Sequence, residues 1–324
     1  MYGVWRKGEK VSYECLEGDL VKIEAEKDDR KAEFTIHSYF PNKCKGPFII
    51  CMHPIAPIDD ALNEGYAVFV MDTIQIATDD TRHLGAFYDI YPYKESGNEQ
   101  TGVLMAWAWG ASKVLDAVYA GLGKKEGLDE KASMVTGVSR WGKATAVCGA
   151  FDDRFAMTIP TCSGAGGLAL YNYNSEGKTY DFEKIGGPKE YTYTKNEPLD
   201  CLQSEAERGW FNDGFLQYKS PTDIPYEQDN LITLAMDKDR YYFVIAACMG
   251  EDWVNAPAMW ECYKKADKVY EKEGLSRNLA VHFHKEGHAV ISEDMELIIR
   301  YFNHMYYGDD LGFDMEKLKT TVFS

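Results

Sequence analysis

No stretch of this chain approaches the roughly 20 consecutive apolar residues that a membrane-crossing helix needs. The N-terminus, Met1-Tyr2-Gly3-Val4-Trp5-Arg6-Lys7, has no apolar signal core. Read as it stands, the sequence predicts a cytoplasmic protein with no membrane partner, although an exported chain stripped of its leader would read the same. Positive charge is scarce: 35 Lys and Arg stand against 52 Asp and Glu, a formal net charge of −17. Phosphate backbones are held mainly by Lys and Arg, so no nucleic-acid partner is expected. A local basic pocket can still sit inside an acidic shell. The 8 cysteines are scattered, and none forms a Cys-x-x-Cys pair, so no zinc or thioredoxin-type motif is present. Cys51 and Cys248 lie inside apolar runs and read as small hydrophobes rather than halves of disulfides. Repeats and low-complexity tracts are missing too.

What the chain does have is apolar mass, 45% of its residues, enough for a large core. Residues 20–24 and 32–37 alternate polar and apolar, which predicts half-buried strands. Residues 48–52, 67–71, 132–136, 155–160, 242–247 and 279–283 are short, nearly continuous apolar runs, which suit strands buried on both faces. Helical spacing marks 104–118, 144–150, 259–270 and 295–306. Strand alternating with helix predicts an α/β domain with a mainly parallel sheet between two helical layers. Residues 165–230, rich in Tyr, Asn, Gly, Pro and Glu, break the pattern. They read as a lid-like insertion over the ligand-binding end of the sheet, within a single domain spanning 1–324.

The strand at 132–136 runs into Gly137-Val138-Ser139-Arg140-Trp141-Gly142-Lys143, and a small-residue helix follows. This is the strand–turn–helix context of a nucleophile elbow, in which Ser139 projects its hydroxyl at the strand's end. Backbone N–H groups at the helix start can then face an oxyanion. An ordinary turn with Ser139 as the helix N-cap would use the same residues.

The usual elbow is Gly-x-Ser-x-Gly; here the second glycine comes one residue late, with Trp141 in its slot. In this form the motif resembles the glucuronoyl esterases, carbohydrate esterase family 15 of the α/β-hydrolase superfamily. Further blocks follow that family's order: Phe87–Tyr93, Met105–Ser112, Asp153–Ala156, Ser163–Gly167, Pro225–Gln228, Glu251–Trp253 and Gly287-His288. The resemblance implies an α/β-hydrolase fold and a serine esterase acting through an acyl-enzyme on Ser139. It implies as substrate a small carbohydrate ester of glucuronic or 4-O-methylglucuronic acid, as in lignin–carbohydrate or glucuronoxylan fragments. No metal or organic cofactor is implied. Removal of acetyl groups from xylan and general esterase activity are alternatives within the same chemistry. A catalytically impaired carbohydrate-binding relative is an alternative of another class.

A serine esterase needs a base, and the fold's chain order is Ser, acid, His. His282 and His284 alternate within a strand and read as structural. His288 lies in the loop after that strand, where such folds place functional groups, and the resemblance also puts the catalytic histidine there. The acid is the open position. Many members of the resembled family carry a glutamate just before the Ser-Gly-Ala-Gly-Gly block, where this chain has Cys162. The strand at 242–247 leads into Glu251 and Asp252 instead, and Asp252 is the expected acid, with Glu251 as the alternative. Arg140 is expected to stabilise the oxyanion through its backbone N–H and, by resemblance, its guanidinium. The resemblance assigns Lys143, Glu207 and Trp253 to sugar binding. His53 reads as a structural loop histidine.

Overall fold

The computed structural model describes residues 1–54, 56–95, 97 and 99–324. Side-chain alternation sets the first strands apart from the rest. β2 (Leu20–Lys27) and β3 (Arg30–Tyr39) bury one face and wet the other, whereas β1 (Lys10–Cys15) has no fully buried residue. By contrast, β4 (Phe48–Cys51), β5 (Ala67–Met71), β6 (Ser133–Val138) and β7 (Met157–Thr161) are buried at every residue. So is β10 (Tyr241–Met249), while β11 (Leu279–Glu286) is buried except at His282, which is partly buried, and at its last two residues. A strand buried on both sides must have both faces of its sheet covered, as the continuous apolar runs predict.

These nine strands form one sheet in the order β1-β2-β3-β5-β4-β6-β7-β10-β11. Pairing is antiparallel from β1 to β5 and parallel from β5 to β11. The parallel half therefore aligns the C-terminal ends of β6, β7, β10 and β11 along one edge. Helices Val103–Ala117, Arg140–Phe151, Asp229–Leu234 and Ala256–Lys272 pack in succession, and Ile58–Asn63 packs on Ser292–Phe302. Among the described residues, no helix is long and apolar enough to cross a membrane.

Two pieces of strand were not expected from the sequence. β1 is short and mostly exposed; it is held at the sheet edge by pairing with β2, where Glu14 sits opposite Lys22 with its carboxylate 2.6 Å from the ammonium. Such a charged edge discourages pairing with another chain. The second is the two-stranded ribbon of β8 (Thr179–Tyr180) and β9 (Tyr191–Thr192), inside the 165–230 segment. The rest of that segment is short helical turns and irregular chain.

Candidate active site

β6 ends at Val138, and the helix Arg140–Phe151 starts two residues later. Ser139 makes the turn at φ 62° and ψ −127°, a conformation that L-residues rarely adopt. Strain of this kind costs about 1–3 kcal/mol and persists only where the surroundings impose it. The surroundings are visible: the Ser139 N–H donates to the Thr161 carbonyl at 3.0 Å, which ties the turn to β7. Ser139 occupies the N-cap position, yet its side chain makes no capping hydrogen bond. The hydroxyl is thus not spent on the helix end.

The late glycine has a steric reason. A Cβ on Gly142 would lie 2.5 Å from the Thr161 carbonyl oxygen, and one on Gly137 would lie 2.7 Å from that of Trp141. Trp141 has room because it points elsewhere. It stacks on His53 with ring centroids 3.8 Å apart and donates its indole N–H to Thr73 Oγ1 at 2.9 Å. His53, read as a structural histidine, thus supports the residue beside the elbow.

His288 follows β11, and its Nδ1 lies 3.0 Å from a carboxylate oxygen of Glu251, which follows β10. The expected partner, Asp252, is turned away. Its Oδ1 accepts from Tyr191 Oη at 2.6 Å, and its Oδ2 accepts from both the backbone N–H and the hydroxyl of Thr194 at 2.8 Å. The expectation of Asp252 as the histidine's partner is therefore corrected to Glu251. The reason is that Asp252 fastens the 165–230 segment to the turn after β10. Cys162, one residue beyond β7, is buried, and burial pushes its thiol up to about 12, with the Glu251 and Asp294 charges adding to the effect.

Arg140 places its guanidinium against Asp79 at 2.5 Å and over the Trp210 ring, 5.3 Å from its centroid. The Trp210 indole N–H donates to the other Asp79 oxygen at 2.7 Å, so one carboxylate orients both side chains. Lys143 is buried, and its ammonium donates to Glu197 at 2.7 Å and to the Ala165 carbonyl at 2.5 Å. Those contacts occupy two of its three donors. The Glu197 carboxylate also accepts from the Ala165 N–H at 2.9 Å, and the Glu197 N–H donates to the Trp253 carbonyl at 2.9 Å. Half-buried Trp253 thus borders the residues that hold Lys143. The carboxyl of Glu207 is raised above its usual range by burial and by Glu197, against the pull of Lys143 and Arg140. Its Oε2 is buried with no hydrogen-bond partner among the described residues, an acceptor open to a hydroxyl donor. Asp79, Glu197 and Trp210 were not singled out from sequence. Only Asp79 carried a signal, being in a loop that follows a buried parallel strand.

The sequence model of the glucuronyl esterases of fungi matches residues 23–274. The chain belongs to the glucuronyl esterase family. A multidomain esterase from Ruminococcus flavefaciens is 43% identical over 337 residues, covering 100% of this chain but 44% of that protein. A 4-O-methyl-glucuronoyl methylesterase from Neurospora crassa is 31% identical over 209 residues, 64% of this chain and 47% of that protein. The chain thus spans less than half the length of these two family relatives. Among solved structures, a carbohydrate esterase family 15 glucuronoyl esterase from Caldicellulosiruptor kristjansonii aligns at 32% identity with a TM-score of 0.87, over 97% of this chain and 82% of that one. A mutant glucuronoyl esterase from Sporotrichum thermophile, in complex with methyl 4-O-methyl-beta-D-glucopyranuronate, shares the fold at 23% identity and TM-score 0.76, over 95% of this chain and 79% of that one. The α/β-hydrolase fold that the resemblance implied is the fold of this family's structures, and the mainly parallel sheet expected from the strand–helix alternation is present.

Proposed function

We propose that the chain is a serine esterase that hydrolyses esters of glucuronic or 4-O-methylglucuronic acid, including those borne on xylan fragments. The observation that carries the reading is the Ser139 elbow, strained and with its hydroxyl uncommitted, in a chain of this family. The family relatives named methylesterases and the neighbour holding a methyl glucuronate ester support the acyl group.

In this reading Ser139 Oγ attacks the ester carbonyl while His288 takes its proton. Glu251 holds His288 at Nδ1, leaving Nε2 for the serine, and stabilises the imidazolium that forms. The Arg140 N–H at the start of the helix and its guanidinium receive the oxyanion. His288 then gives the proton to the departing alcohol, and water releases the acid by the same route in reverse. Lys143 and Glu207 bind sugar hydroxyls, and Trp253 offers an aromatic face. The alternative of an impaired binding protein rested on a missing acid; the Glu251–His288 contact of 3.0 Å weighs against it.

The test is hydrolysis of methyl 4-O-methylglucuronate by the purified chain, in parallel with acetylated xylan. Turnover of the glucuronate ester is expected, and Ser139→Ala should lower kcat by about 10⁴-fold or more. Turnover of acetylated xylan alone, or equal activity in the alanine variant, would overturn the reading.

A further inference from the structure

His284 lies outside the constellation above, near the end of β11 and four residues before His288. It is buried, and both of its ring nitrogens face acceptors. Nδ1 is 2.9 Å from Asp294 Oδ2, and Nε2 is 2.9 Å from the Gly287 carbonyl oxygen. A carbonyl oxygen can only accept. The Asp294 oxygens are already accepting: Oδ2 takes the Ile291 N–H at 2.9 Å, and Oδ1 lies 3.1 Å from the same His284 nitrogen. An imidazole between two acceptors satisfies both only when both nitrogens carry protons.

Asp294, wholly buried in the first turn of the helix Ser292–Phe302, therefore holds one loop at two points. It binds Ile291 directly, and it binds Gly287 through His284. His288 sits between those anchors. Gly287 itself has φ 112°, a backbone open to glycine and little else, so nothing in its own torsions fixes where its carbonyl points.

We propose that the His284–Asp294 pair is a proton-dependent clamp that positions His288, acting through the Gly287 carbonyl. This rests on the reading of His288 as the base. His284 is a positioning residue and touches no substrate. When its ring loses a proton, a nitrogen lone pair faces an oxygen, and one end of the loop is released. Several groups bear on that proton. Asp294 and Glu293 come from the helix and His282 from the same strand face, while the neutral Cys162 thiol at the end of β7 lies near Asp294. Burial opposes the charge on the ring, but Asp294, the Gly287 carbonyl and Glu293 outweigh it and raise the pKa above its ordinary 6.5. The clamp is thus fully present below the ordinary value and lost as pH rises through the raised one.

Two measurements test this. In the unsubstituted protein, ¹⁵N spectra of the histidine rings should show His284 protonated at both nitrogens at pH 6.5 and above. Its deprotonation should coincide with faster amide exchange at His288–Ile291. In kinetics on methyl 4-O-methylglucuronate, His284→Gln should lower kcat by about tenfold or more while changing KM less than about threefold, because misplacing a catalytic group costs rate rather than binding. The fall of kcat at alkaline pH should also change shape, and Asp294→Asn should behave alike. A neutral His284 ring at pH 6.5 overturns the clamp. So does a folded His284→Gln with near-parental kcat and the same alkaline fall. If the chain hydrolyses no ester, the functional reading fails while the ring spectra still decide the clamp.

Discussion

At the scale of single residues, the outcome turns on one position. Glu251 and Asp252 are adjacent at the end of β10, and neighbouring residues leaving a strand point in different directions. Sequence inspection favoured Asp252 over Glu251, and the structure reverses that order because Tyr191 and Thr194, some sixty residues upstream, engage Asp252 and leave Glu251 to His288. Glu251→Ala is expected to lower kcat by about 10²–10⁴-fold with little loss of stability. Asp252→Ala should do the reverse: a lower Tm, and a kcat within about tenfold of the parent, because the lost hydrogen bonds are structural. Steady-state kinetics and thermal melts on the two variants separate the roles. Ser139 and His288 could be singled out because each sits in a short local motif. Glu197 was not, since nothing local distinguishes it among 52 acidic residues.

At the scale of elements, the buried strands were read at nearly their observed positions because a strand covered on both faces must be apolar throughout. β1 and the β8–β9 ribbon escaped notice because their positions are set by a partner strand and not by a hydrophobic period. The elbow shows the same division. Its glycine at 142 could be seen but not explained until β7 was placed beside it. Gly142→Ala should then force the elbow helix away from the Thr161 carbonyl. Overpacking against backbone costs about 1–3 kcal/mol. A melt should show that loss, and activity should fall further than stability because Ser139 moves with the helix.

At the scale of the whole molecule, the 165–230 segment is tied down at separate points, through Asp252 beyond the end of β10 and through Lys143 of the helix Arg140–Phe151, paired with Glu197. Unfolding should therefore be one transition. Far-UV circular dichroism and tryptophan fluorescence, to which Trp210 and Trp253 contribute, should give coincident curves. Tyr191→Phe, which removes one of the ties, should lower Tm and begin to separate the two curves. The same view gives Cys162 a meaning. Its buried site already feels both Glu251 and Asp294, and carboxylates crowded together cannot all stay ionised. A carboxylate on β7 and one on β10 would compete for the same imidazole and burden each other's charge. A buried, neutral thiol at the end of β7 adds no charge beside Glu251, so the contact between Glu251 and His288 stands without a competing carboxylate from that strand.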